Sequence, residues 1–216
     1  MHMMNRNTIF DDLEAVGYVV LDSILKSDVL PIMNGLGEVI SSTRVNYSSS
    51  AKSMLASRGP MSLHTDSWRA DIIAWYCVSE GESGGESILM DARNILSELS
   101  NEDKASLKQI LLMDGALARQ DVGGKSHPIL SPNRIFFADW LVDKNMHENL
   151  NLAVDKLKFL ISNSEKNVIN LKAGQCLIIN NRYILHGRNG FEDGTKVRNL
   201  MRFWIKSDFS FESLLV

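Results

Sequence analysis

The chain has 216 residues, 44% apolar and 23% charged, the make-up of one globular domain large enough to bury a sizeable core. A formal net charge of −3 with no basic run argues against nucleic acid or a membrane surface as partner. No apolar stretch approaches the roughly 18 residues that span a bilayer. The start, Met1-His2-Met3-Met4, lacks the apolar core of a signal peptide. Cys77 and Cys176 each sit in an apolar run and are expected as buried, reduced thiols in a cytoplasmic protein.

In chain order, residues 10–16 read as a short helix and 17–22 as a strand. Ser27 is placed to cap a helix carrying Val29, Ile32, Met33, Leu36 and Ile40 at helical spacing. Residues 41–60 are polar and serine-rich, which fits either a lid or an ordinary surface connection. Residues 72–78 and 86–91 read as strands around the turn Glu80-Gly81-Glu82-Ser83-Gly84-Gly85. Ser100 with Asp103 three positions on marks a capping box for a helix through Leu107, Ile110 and Leu111. Strands and turns are expected over 114–140, around Ile135-Phe136-Phe137. An amphipathic helix then aligns Leu150, Val154, Leu157 and Ile161. Strands at 168–171 and 176–179 follow, and the last runs over 198–205. Met54, Met61, Met90, Met113 and Met201 form no stripe and read as core gap-fillers.

The chemistry concentrates in Leu63-His64-Thr65-Asp66-Ser67-Trp68 and, about 120 residues later, Leu185-His186-Gly187-Arg188. On an extended strand, side chains two apart point the same way, so His64 and Asp66 face one cavity and Thr65 faces away. With His186 they make two imidazoles and one carboxylate, a set that leaves metal positions open and suits non-haem Fe(II). His2, His127 and His147 are the other histidines, each read as a surface residue rather than a ligand. Arg198 and Arg202 share a strand face about 13 Å apart. Whether that face turns inward, where two arginines would need anions, is open from the alternation alone.

In their order, His64-Thr65-Asp66 with Trp68, Gly84-Gly85-Glu86-Ser87 leading to Asp91-Ala92, Asn181-Arg182 through Arg188, and Arg198-Asn199-Leu200-Met201-Arg202 resemble the taurine dioxygenase and clavaminate synthase-like branch of the Fe(II)/2-oxoglutarate-dependent oxygenases. That resemblance implies a β-rich α+β fold, a distorted double-stranded β-helix (jelly roll, cupin-like) with flanking helices, as one domain over residues 1–216. It implies His64, Asp66 and His186 as iron ligands, and Arg198 as the clamp on the distal carboxylate of 2-oxoglutarate. Ser87, where the family has threonine, would donate a hydroxyl to that carboxylate, and Arg202 would stand near the substrate's acid. The carboxylate of Asp66 fills the place that chloride takes in halogenating relatives, favouring hydroxylation or desaturation. The chain is shorter than typical members, which implies trimmed lid and insert segments.

The function implied is oxygenation of a small polar metabolite, an amino acid or other carboxylate-bearing compound, with O2, Fe(II) and 2-oxoglutarate. Three alternatives stay open. One is an oxygenase whose amino-acid substrate rides on a carrier protein. Another is a cupin-like zinc or manganese enzyme using the same triad, which has no need of Arg198 and Ser87. The third is a non-catalytic jelly-roll binding protein.

Overall fold

Two antiparallel sheets face each other, and the residues between them form both a core and the candidate site. The computed structural model describes residues 6–45, 57–113 and 126–212. From the N-terminus come α1 (Arg6–Ala15), β1 (Tyr18–Leu21), α2 (Lys26–Leu36), β2 (Glu38–Val45), β3 (Met61–His64), β4 (Ile72–Ser79) and β5 (Ser87–Asp91). Next are α3 (Arg93–Leu96), α4 (Asn101–Gln109), β6 (Leu111–Met113), β7 (Ser126–Pro128), β8 (Leu130–Ser131) and β9 (Arg134–Ile135). A 3-10 turn at Asp139–Leu141 leads to α5 (Glu148–Asn163), β10 (Asn167–Ile169), β11 (Cys176–Asn180), β12 (Ile184–Arg188) and β13 (Asn199–Lys206). The larger sheet runs β1-β11-β4-β13-β2 and the smaller β10-β5-β12-β3.

Period-two alternation divides each strand between two environments. On β4, Ile73, Trp75 and Cys77 join Leu89, Ile184 and Leu200 in the core between the sheets. Ile72, Ala74 and Tyr76 pack outward with Phe203 and Ile205 against Phe10, Leu13, Val29 and Met33 of α1 and α2. On the smaller sheet, Met90 and Leu185 meet Leu107 of α4 and Val154, Leu157 and Ile161 of α5. β13 therefore turns Leu200 and Arg202 into the intersheet cavity, and Arg198, just before the strand, lines it too, which settles the question the sequence left open.

Several elements differ from the sequence reading. Ile40 lies in β2, not in α2, and residues 41–45 are strand rather than loop. β2 is an edge partner of β13, with Arg202 opposite Thr43, so long-range pairing overrides the weak local signal of a serine-rich stretch. Of the rest of that segment, 46–56 lies outside the described residues, as does 114–125 within 114–140. Ser27 sits inside the first turn of α2, whose N-cap is Leu25 without a side-chain cap. The capping box at Ser100 forms in both directions with Asp103, but α4 stops at Gln109, leaving Ile110 and Leu111 beyond it. Met113 is 56% exposed and so fills no core gap, Met61 lines the cavity, and Met54 lies outside the described residues.

Candidate metal centre

The centre is a consequence of one register. β12 and β3 pair antiparallel with His186 opposite His64, so their side chains stand together on the inward face. The two imidazole centroids are 4.3 Å apart. β3 ends at His64, and the next residue is turned outward by a two-way clamp. Thr65 N–H donates to the Phe137 carbonyl at 2.8 Å, while Phe137 N–H donates to Thr65 Oγ1 at 2.9 Å. Asp66 then points back inward, its N–H donating to Asn181 Oδ1 at 3.0 Å. Asn181 Nδ2 holds the rest of the turn through the carbonyls of Ser67 and Ala70.

Between positions 186 and 188 the pairing shifts so that Arg188 faces Met61, an extra residue on β3 that bends the strand beside the site. Gly187 permits this approach: a Cβ there would come within 2.6 Å of the Met61 carbonyl oxygen. Gly187→Ala should therefore push β3 away and carry His64 with it. The expected outcome is a lowered melting temperature together with weakened metal binding. Unchanged values for both would show that β3 tolerates the displacement.

One ligand atom from each of His64, Asp66 and His186 lies within 4.8 Å of the others. Nε2 of His64 is 3.8 Å from Asp66 Oδ1, and Nε2 of His186 is 3.8 Å from Oδ2. His64 Nδ1 is 2.9 Å from the Ser62 carbonyl; that carbonyl can only accept, so Nδ1 carries the proton and Nε2 keeps its lone pair for a metal. Burial foremost, with Arg202 adding to it, depresses the pKa of His64 against the pull of Asp66. Burial, then His64 and Arg202, takes His186 to about 3. Burial opposes charge on Asp66, but Arg202 first, then both imidazoles and Trp204, outweigh it and hold the carboxyl below its ordinary range. Neutral imidazoles beside an ionised carboxylate are the protonation states that a divalent cation requires.

These directions carry a linkage prediction for the metal-free chain. Both histidines bind protons more weakly folded than unfolded, so acid favours the unfolded chain from about pH 6.5 downward, for His186 to about pH 3. The depressed Asp66 adds stability present above its unfolded pKa of 3.8 and lost on further acidification. Thermal melts should show a falling melting temperature from pH 7 to pH 5. A flat profile over that interval would contradict the burial of neutral imidazoles.

Three tryptophans that composition did not single out shape the centre. Trp204 Nε1 donates to Asp66 Oδ2 at 2.8 Å, so a residue that reads as an apolar neighbour of two arginines orients a ligand. Trp75 stands T-shaped to His186 with centroids 4.9 Å apart, and Trp140, 46% exposed, lies 4.9 Å from the His64 ring. Only spatial proximity reveals them.

Arg198 Nη2 donates to Ser87 Oγ at 3.1 Å, and both line one cavity with His64, His186 and Arg202. Arg202 Nη1 faces the Asp66 carboxylate, 3.1 Å from Oδ2; its Nε is buried without a hydrogen bond, leaving part of the guanidinium for a further acceptor. Arg188 ties in the segment before β3, donating to the carbonyls of Ser57 and Gly59 at 2.7 and 2.6 Å. Its guanidinium also lies over the Phe191 ring. His127 stacks on Trp68, away from the triad, and His147 is the exposed N-cap of α5. His2 is outside the described residues.

The taurine catabolism dioxygenase TauD, TfdA family matches residues 11–137, more than half of the chain. The chain belongs to this family. The matched span contains His64, Asp66 and Ser87, while His186, Arg198 and Arg202 follow it. A uridine-5'-phosphate dioxygenase from Streptomyces sp is 28% identical over 165 residues, 64% of this chain and 59% of that protein. The crystal structure of asparagine oxygenase with Fe(II), 2S,3S-3-hydroxyasparagine and succinate superposes with a TM-score of 0.73 at 17% identity, over 93% of this chain and 78% of that one. The non-heme iron oxygenase OrfP with Fe and alpha-ketoglutaric acid gives 0.70 at 16%, over 94% and 78%. At such identities the superpositions establish a shared fold for this family member, β-rich and antiparallel.

Proposed function

We propose that the chain is an Fe(II)- and 2-oxoglutarate-dependent oxygenase acting on a small polar metabolite, with the two sheets forming a double-stranded β-helix, or jelly roll, as one catalytic domain. Fe(II) and 2-oxoglutarate, when bound, supply oxidative decarboxylation to succinate and carbon dioxide, with one oxygen atom of O2 delivered to a substrate C–H bond. His64, Asp66 and His186 hold the metal. Trp204 and Arg202 grip Oδ2 of Asp66 and so bias it toward presenting a single oxygen, leaving positions open for the cosubstrate and O2. The guanidinium of Arg198, a planar fork suited to a carboxylate, and the Ser87 hydroxyl receive the distal end of 2-oxoglutarate. The two buried free thiols fit a reducing, cytoplasmic setting.

The observation that carries this reading is the Arg198–Ser87 pair in the same cavity as the triad. A zinc or manganese hydrolase has no use for it. The substrate reading is a free amino acid, supported by the 3-hydroxyasparagine held by asparagine oxygenase and the (3S)-hydroxy-L-Arg held by OrfP in another of its structures. A nucleotide is the second reading, favoured by the uridine-5'-phosphate dioxygenase relative. The test is a panel of amino acids, free and carrier-bound, and uridine 5'-monophosphate, scored for substrate-stimulated succinate formation after anaerobic loading with Fe(II). Stimulation by one member identifies the class. Metal binding without 2-oxoglutarate consumption on any member, joined to hydrolysis with zinc, would replace the oxygenase by the cupin-like alternative.

A further inference from the structure

A second cavity lies behind the turn that presents Asp66. Trp68, Arg69 and Asp71 line it from that turn, it is an open cleft of about 780 Å3, and it shares no lining residue with the metal cavity. Such a volume is typical of a small-molecule site. Its walls carry Arg69, Arg134, Arg182 and Lys206 against one carboxylate, Asp71.

That carboxylate is already engaged. Arg134 Nη2 binds Oδ1 at 2.5 Å, and Ser207 N–H donates to Oδ2 at 3.1 Å. Arg182, on the turn joining β11 to β12, is only 8% exposed. Its Nε donates to the Asn133 carbonyl at 2.8 Å, and its guanidinium carbon lies 5.4 Å from the Phe211 ring centroid. Among the described residues no acceptor meets either of its terminal nitrogens. The buried Arg182 and half-buried Arg134 thus face a single carboxylate within the cleft, with Glu14 acting on Arg182 from outside it and the exposed Arg69 and Lys206 adding positive field at the rim. Burial foremost lowers the pKa of both Arg134 and Arg182, and repulsion from Arg182 adds to the effect on Arg134. Partly buried positive charge in excess of its counter-ions is costly. A planar fork with free terminal nitrogens meets that need with a tetrahedral oxyanion, which it binds bidentately.

We propose that this cleft is a binding site for a phosphate-class dianion, gripped by the terminal nitrogens of Arg182 and drawn in by Arg134, Arg69 and Lys206. Phosphate and sulfate share this chemistry, and the anion reaches the cleft either free or as a monoester whose organic part rests on Trp68 and Phe211. The site stands on its own geometry and does not depend on the oxygenase reading.

Calorimetric titration of the metal-loaded chain under anaerobic conditions tests it, with 2-oxoglutarate saturating so that an anion cannot report on Arg198. Sulfate and phenyl phosphate are the probes, at constant ionic strength. Both should bind saturably at one site, and Arg182→Gln should weaken each at least about tenfold, or roughly 1.4 kcal/mol. Because Arg182 is buried, the double variant Arg69→Gln with Lys206→Gln, confined to exposed side chains, provides a second measure. It should fold normally, lose several-fold in affinity and show a shallower salt dependence. Tighter binding of phenyl phosphate than of sulfate assigns the site to a monoester, and equal binding to the free ion. Absence of saturable binding by both probes, or the same affinity in all three proteins, overturns the proposal.

Discussion

Alanine at His64, Asp66 or His186 is expected to lower affinity for Fe(II) by more than about 100-fold and to abolish turnover. Losing an outer partner of a metal ligand already costs about 10–100-fold, and each of these side chains supplies one of the three converging donor atoms. Trp204→Phe, which keeps an aromatic ring but removes the donor to Asp66 Oδ2, should fall in that milder range. His127→Ala and His147→Ala should leave metal binding unchanged, since His127 packs on Trp68 and Phe136 and His147 is exposed at the N-cap position of α5. Equilibrium metal titration of the six variants checks the order. Near-normal affinity in any triad variant would remove that residue from the ligand set.

Arg198→Leu should raise the 2-oxoglutarate requirement at least about thirtyfold. Truncating one partner of a buried, charge-assisted contact costs about 2–5 kcal/mol, and each 1.4 kcal/mol is about tenfold. Metal affinity without cosubstrate should hardly change, because Arg198 donates to Ser87, which holds no metal. Arg202→Leu should behave differently on both counts. It removes the cation nearest Asp66, so metal binding weakens, and it removes the guanidinium expected beside the substrate's acid. Comparing metal, 2-oxoglutarate and substrate dependence in the two variants decides whether the arginines divide the work. Equal damage to 2-oxoglutarate binding from both would refute that division.

The candidate site was more legible in the sequence than the fold around it. His64 and Asp66 do face one cavity as two-residue phase predicts, but β3 ends at His64 and the Thr65–Phe137 clamp with Asn181 completes the turn. The shared face of Arg198 and Arg202 holds although the register of β13 slips between Asn199 and Leu200. The inward direction of that face was not legible, because Met201, Phe203 and Ile205 are as apolar as any core row. They pack on the α1 and α2 side, Phe203 and Ile205 buried and Met201 partly so, instead of against the opposite sheet. β2 was missed because Ser41, Ser42 and Thr43 carry no apolar alternation, and pairing with β13 supplies what propensity lacks. Trp204 escaped notice because an indole reads as apolar until its N–H is seen to reach a carboxylate. The pairing of Arg134 with Asp71 and the cleft beside it join positions 63 residues apart, beyond any local pattern.

The most direct test of the central claim, that metal and 2-oxoglutarate occupy one cavity, is anaerobic titration of 2-oxoglutarate into the Fe(II)-loaded chain, followed by visible absorption. A charge-transfer band should appear only when metal and keto acid are both present. It should vanish in His186→Ala and move to higher 2-oxoglutarate concentration in Arg198→Leu. Binding of 2-oxoglutarate that is indifferent to metal, or unaffected by loss of Arg198, would contradict the account.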